Sequence, residues 1–258
     1  MGHFEFAGVY EMRVAVYTCV TNGYDKVSPP AILTPGVDYL CFNDGSIKVP
    51  APWQDVQIDR RYSGKDANRY VKILPHLNDR LKYYDLTIYI DGAIEIVGDL
   101  APLIQQVQCV EGQTFMYEHP RRNCVYLEAR ACVESMKAPL AETSRLLARY
   151  RKEGMPEAFG LFEGGVIIRK AGSGFERLME TWWQTYLGGV GRDQLALMYS
   201  SWETGVSIHS LGKPDHRFEQ RSFRCKSGHK GDFIKRHFSW WIWRPIVGAL
   251  IDSKIVKL

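Results

Sequence analysis

Three short apolar runs, each closed by a polar, glycine-containing turn, constrain this chain more than any other feature. Val14-Ala15-Val16-Tyr17-Thr18-Cys19-Val20 ends at Thr21-Asn22-Gly23, Asp38-Tyr39-Leu40-Cys41-Phe42 at Asn43-Asp44-Gly45, and Leu86-Thr87-Ile88-Tyr89-Ile90 at Asp91-Gly92. Runs this short, rich in β-branched and aromatic residues and bounded by turn formers, read as buried strands. Residues 114–117 and 165–169 fit the same reading. Helical spacings fill the intervals. Tyr70, Ile73, Leu74, Leu77 and Leu81 recur across 66–81, where Pro75 must kink or shorten the helix, and further helices are expected near 126–136, 139–152, 173–187 and 192–200. Strands alternating with helices predict an α/β fold: a mostly parallel sheet with helices on both faces. Ligands of such sheets bind beyond the C-terminal strand ends, which directs attention to those three turns.

The 258 residues suffice for one sizeable core. No Ser/Gly tract, charge block or repeat divides them, so residues 12–231 are expected as one domain, with 232–258 as a C-terminal helical appendage and 1–11 as an extension. The net charge of +4 suits phosphorylated ligands or a place near anionic lipid, and is too small to argue for nucleic acid. Six cysteines without C-x-x-C spacing, several in apolar runs, suit a reduced, cytoplasmic chain. The N-terminus lacks the basic-then-apolar pattern of a signal peptide.

Asp91 is the most informative residue. A carboxylate at the end of an apolar strand, followed by glycine, lies at the ligand edge of the sheet, where a hard divalent cation bridging a diphosphate needs such a group. The competing reading is a turn-closing Asp-Gly pair. Arg192-Asp193-Gln194 opens a helical pattern, so Asp193 is either a dipole-favoured residue or a reacting carboxylate. In His119-Pro120-Arg121-Arg122, the paired guanidinium forks suit a diphosphate or an acidic acceptor, against plain surface ion pairing. Lys72 shares a helix face with His76, and Asp44 either meets the nucleoside or closes an Asx turn.

Taken in order, Y-T-C-V-T-N-G-Y-D-K, Y-L-C-F-N-D, R-Y-V-K-I-L-P-H, I-Y-I-D-G-A-I-E-I, H-P-R-R-N-C-V-Y-L-E-A, R-Y-R-K-E-G-M-P, G-L-F-E-G-G-V-I-I-R and R-D-Q-L-A-L resemble the TOD/MUCI-like glycosyltransferase family of plants and bacterial polysaccharide gene clusters. The resemblance spans roughly residues 13–200. It implies a GT-A (Rossmann-like) fold, a UDP-sugar donor, a glycan or lipid-linked acceptor and a Mn²⁺ or Mg²⁺ cofactor. Asp91 then stands at the first position of the metal-binding D-x-D, although the third position is Ala93 and not an acid. Glu95 and Asp99 follow close behind. His209, in a run similar to the H-x-x-G-x-K-P-W segment of glycogenin-like enzymes, is the second candidate ligand, with His216 and His229 as competitors. Asp193 and Glu163 are the implied catalytic carboxylates. Thr18, Asn22, Tyr24 and Asp44 would surround the nucleoside, and Arg69, Lys72, Gly92, Arg121 and Arg122 the diphosphate. The Ala93 departure sustains an alternative, a catalytically silent nucleotide- or carbohydrate-binding protein on the same fold. Residues 233–251, with Trp240, Trp241 and Trp243 among basic residues, suit either peripheral contact with the inner membrane surface or a terminal helix packed on the core.

Overall fold

A computed structural model describes residues 12–59, 61–172, 174–226, 241 and 243–253. Its main sheet has seven strands: β1 (Val14–Val20), β2 (Val37–Asn43), β3 (Gln54–Gln57), β4 (Leu86–Ile90), β6 (Thr114–Glu118), β7 (Phe162–Lys170) and β8 (His209–Ser210), in the order β3-β2-β1-β4-β7-β6-β8. A two-stranded ribbon pairs β5 (Ile94–Ile96) with β9 (Phe223–Cys225). The helices are α1 (Gly64–Ile73), α2 (Ala101–Gln108), α3 (Val125–Glu134), α4 (Leu140–Glu153), α5 (Phe175–Leu187), α6 (Asp193–Thr204) and α7 (Arg244–Asp252). All strand pairings in the main sheet are parallel except those of β7, which runs antiparallel to both β4 and β6. This is the mostly parallel, Rossmann-like α/β architecture expected from the alternation.

Side chains alternate across the strands, as a pleated sheet requires. On β1, Ala15, Tyr17 and Cys19 face a core built with α1, α3, α4, α5 and α6, while Val14 and Val16 face the side covered by α2 and the β5–β9 ribbon. Both faces are therefore dry, which explains why the strands are apolar throughout. The helix anticipated over 66–81 ends at Ile73, because Pro75 opens a 3-10 turn, Pro75–Leu77, instead of continuing it. Short strands β3, β5, β8 and β9 carry too little pattern to be legible in the sequence.

The reversed direction of β7 matters for the site. Its N-terminal end, from Phe162 to Gly165, arrives at the same edge as the C-terminal ends of β1, β4 and β6. A β-bulge between Met116 and Tyr117 shifts its register with β6 there.

The described part of the C-terminal segment packs on the core. Val247 of α7 is fully buried against Cys132 and Val133, with Trp243 and Ile251 beside them. The Trp243 indole N–H donates to the Val133 carbonyl at 2.8 Å, and Arg130 and Arg244 bind Asp252 and Glu134. Part of the segment's apolar surface is thus covered by α3, while Trp241 and Ile246 stay exposed. Trp240, His229 and the intervening basic residues lie outside the described residues. Among the described residues, no helix is long and apolar enough to cross a membrane.

Candidate active site

A cleft of about 1230 Å³ opens along the edge where β4 and β6 end and β7 begins. Asp91 stands on its floor. The Asp91 N–H donates to the Gly165 carbonyl (2.8 Å), and the Asp91 carbonyl accepts from Ile94 N–H (2.8 Å), so the chain turns immediately after β4. That turn takes Glu95 away to Ser28 and Arg224, each 2.9 Å off, while Asp99 accepts from the Thr34 hydroxyl at 2.8 Å. Neither acid supplies the partner carboxylate that Ala93 leaves missing. Gly92 is required sterically: a Cβ there would sit 2.8 Å from Asp25 Cβ and 3.0 Å from Val20 Cγ2.

Lys72, in the last turn of α1, is almost wholly buried, and its ammonium bridges two carboxylates. Nζ lies 2.8 Å from Asp193 Oδ2 and 3.6 Å from Asp91 Oδ1. Asp91 Oδ1 also accepts from the Tyr89 hydroxyl at 2.8 Å, and the Tyr89 ring lies 5.2 Å from the ammonium. Arg69 Nε comes within 3.0 Å of Asp193 Oδ2, yet its N–H is not aimed well enough to count as a hydrogen bond, so the contact is ionic. The glycines of β7 make room for this group. A Cβ on Gly164 would stand 2.9 Å from Lys72 Nζ, and one on Gly165 would stand 3.0 Å from Ile94 Cδ1.

Asp193 is the first residue of α6, held by the Trp182 indole N–H, which donates to its carbonyl at 2.7 Å. Burial pushes its carboxyl pKa up, but Lys72 and Arg69 outweigh this and hold it well below the usual carboxylate range. Lys72 is set from behind by Arg169 of β7, whose buried guanidinium donates to the Lys72 carbonyl (2.9 Å) and the Tyr17 hydroxyl (3.1 Å).

Across the cleft, Glu163 accepts from Arg217 Nε at 3.0 and 2.9 Å and meets His216 Nε2 at 3.1 Å. Burial alone would raise its pKa; the bonds from His216 and Arg217 bring it below the ordinary value. Beyond β6, His119 Nδ1 accepts the backbone N–H groups of Arg121 and Arg122 at 3.3 and 3.0 Å, folding that loop tightly. Arg122 is drawn to Glu128 at 2.7 Å, and Arg121 is left exposed. Seven lysine and arginine side chains line the cleft against four aspartates and glutamates.

Of the residues singled out in the sequence, Asp91, Lys72, Arg69, Asp193, Glu163, Arg121 and Arg122 come together in the cleft. Asn22, Tyr24 and Asp44 lie outside it, at the ends of β1 and β2. Asp44 accepts from Ser46 N–H (3.1 Å), the Asx turn weighed above, and also from Asn22 N–H (2.8 Å), which ties the two turns together. Thr18 is a correction: β1 runs on through Val20, so Thr18 is buried inside the sheet and out of reach of a ligand. His209 is another. It pairs in β8 with Phe115 near the start of β6 and packs on that ring, 5.3 Å between centroids. Four residues of strand separate Phe115 from His119, roughly 13 Å, so His209 sits away from the site edge, and it does not line the cleft. His216 occupies the cleft instead. The sequence carried no signal that sets it above His209, since only the chain reversal after β8 brings it back.

Among the described residues, no three His, Cys, Asp or Glu side chains gather as a metal cage. Asp91 offers one carboxylate, with Oδ1 already engaged, so a hard divalent cation fits here only as a bridge completed by diphosphate oxygens and water.

Residues 48–210 match the family described as TOD1/MUCI70, glycosyltransferase-like domain. The chain belongs to this family. The matched span carries the core of this TOD1/MUCI70 site, including Lys72, Asp91, Glu163 and Asp193, and ends before His216 and Arg217. A comparison with curated proteins gives no match.

Proposed function

We propose that this chain transfers a sugar from a nucleoside-diphosphate sugar, a UDP-sugar first among them, to a hydroxyl of a glycan or lipid-linked acceptor. The observation that carries the reading is the Asp91–Lys72–Asp193 constellation, gathered at the strand-end edge of a doubly covered α/β sheet in a glycosyltransferase-like domain.

In this reading the nucleoside lies along Asn22 and Asp44, and the diphosphate approaches Asp91 across the end of β4. The bond from the anomeric carbon to the diphosphate oxygen breaks, a bond to the acceptor oxygen forms, and the acceptor hydroxyl's proton passes to the departing diphosphate. Negative charge then develops on the departing diphosphate, and the Arg69 and Lys72 cations stand fixed beside it. Preorganised charge of this kind needs no rearrangement during the reaction. Asp193 is held far too acidic to take a proton near neutral pH. Its role is to accept hydroxyls of the donor sugar and so to orient the ring. Glu163, bound by Arg217 and His216, orients the acceptor side in the same manner. A Mn²⁺ or Mg²⁺ ion held by Asp91 would neutralise diphosphate charge when bound.

Calorimetric titration with UDP, GDP and CDP, with Mn²⁺ and with chelator, on wild type and Asp91→Ala tests the reading. Binding of one nucleotide, weakened about tenfold or more in Asp91→Ala, is expected. Equal binding by both proteins would remove Asp91 from the donor site. Slow donor hydrolysis by wild type separates a transferase from a silent binding protein.

A further inference from the structure

The cations of the cleft fall into two groups. Arg69 and Lys72 are matched by Asp193 and Asp91, Arg122 by Glu128, and Arg217 by Glu163. Arg121, Lys137 and Arg192 line the same cleft, and among the described residues none has a carboxylate within ion-pair distance. Arg192 adds a second observation: its Nε is buried without a hydrogen-bond partner. A bound oxyanion is one acceptor able to complete such a donor. Arg192 also precedes Asp193 at the N-terminus of the twelve-residue α6, where the helix dipole adds to its field.

The position of this excess decides what it meets. In the sheet, β6 is separated from β4 by β7, which puts the loop bearing Arg121 about 10 Å from the end of β4. Between them stand Gly164, Gly165 and Glu163, so a sugar held at Asp91 and Asp193 has this wall on its far side from the nucleoside. Arg121 and Arg122, which the sequence suits to a diphosphate or to an acidic acceptor, stand on the β6 flank.

We propose that Arg121, Lys137 and Arg192 bind an acceptor carrying an anionic group, a phosphate or a carboxylate, close to the hydroxyl that receives the sugar. The proposal rests on the transferase reading for the word acceptor, and on the unpaired cations for the charge. Guanidinium and ammonium groups on a partly enclosed wall make charge-assisted bonds to either oxyanion, and solvent-exposed members lose strength as salt rises.

The test uses three probes at low ionic strength: glucose 6-phosphate, methyl glucuronide and neutral methyl glucoside. Their affinities are measured for wild type and for Arg121→Ser/Lys137→Ser, whose two positions are exposed. UDP affinity is measured alongside. The expected result is at least one anionic probe binding about tenfold or more tighter than methyl glucoside, with the double variant erasing that preference and UDP affinity unchanged. Preference for the phosphate alone or for the uronide alone identifies the anion. Equal binding of all three probes, absence of binding by all three, or a preference that survives the double substitution overturns the proposal. Parallel loss of UDP affinity overturns it too, by assigning the wall to the donor. If wild type binds no nucleoside diphosphate, the transferase reading fails instead, and the acceptor role falls with it.

Discussion

Replacing Asp193 by Asn should damage this protein more than replacing Lys72 by Met, although the two residues form one ion pair. Lys72 is 2% exposed, and its Nζ lies 2.8 Å from Asp193, 3.6 Å from Asp91 and 5.2 Å from the Tyr89 ring. Asp193→Asn therefore leaves two cations, Lys72 and Arg69, in a buried site with one partly exposed carboxylate. Removing one member of a buried pair costs about 3–5 kcal/mol, and this variant should fall in that range. Lys72→Met still leaves Asp193 facing Arg69 at 3.0 Å, and the one unmatched charge falls on the partly exposed Asp91, where water reaches it, so a cost at the low end of that range, about 3 kcal/mol, is expected. The double variant should cost less than the sum of the two by about 1–3 kcal/mol. Urea denaturation of all four proteins at pH 7 reads these values.

The pH dependence follows from the depressed pKa of Asp193. A carboxyl whose folded pKa lies below its unfolded value contributes in full above the unfolded value, near 3.9, and loses that contribution as pH falls toward the folded one. The gap between wild type and Asp193→Asn should hold constant from neutral pH down to about 4 and narrow only below that. Additive single substitutions, or a gap that closes between pH 7 and 5, would refute the placement of Lys72 against Asp193.

Gly164→Ala should put a methyl group 2.9 Å from the Lys72 ammonium, costing about 1–2 kcal/mol in urea titrations and slowing donor hydrolysis while UDP affinity stays near wild type. An equally active variant would show that Lys72 need not stay in place. Thiol labelling at pH 8 should reach Cys109, the exposed cysteine, first. Cys41, buried and with its pKa pushed up to about 12, should react only on unfolding; rapid labelling of Cys41 would contradict the packing of β2.

The apolar strand runs fixed the layer architecture before any contact was known, because a strand buried on both faces must be apolar throughout. They also located the ligand edge, and Asp91 at the end of β4 could be read from that rule alone. Helix ends followed from local chemistry, as Pro75 shows. The partners of Asp91 were not legible. Glu95, only four positions from Asp91 in the sequence, is carried off by the backbone turn after β4 to Ser28 and Arg224. The actual neighbour, Lys72, comes from a helix two elements earlier, and its counter-charge, Asp193, lies 121 residues further along.

Local sequence pattern reports periodicity and turn chemistry, which depend on residues a few positions apart. Strand order and direction depend on the packing of the whole sheet. Only the antiparallel entry of β7 carried Glu163, Gly164 and Gly165 into the cleft, and only the chain path after β8 exchanged His209 for His216. The sequence by itself determined which residue types stand at the strand ends. The tertiary structure decided which charges meet, and by giving Arg121, Lys137 and Arg192 no carboxylate within ion-pair distance among the described residues it decided where the cleft remains positive.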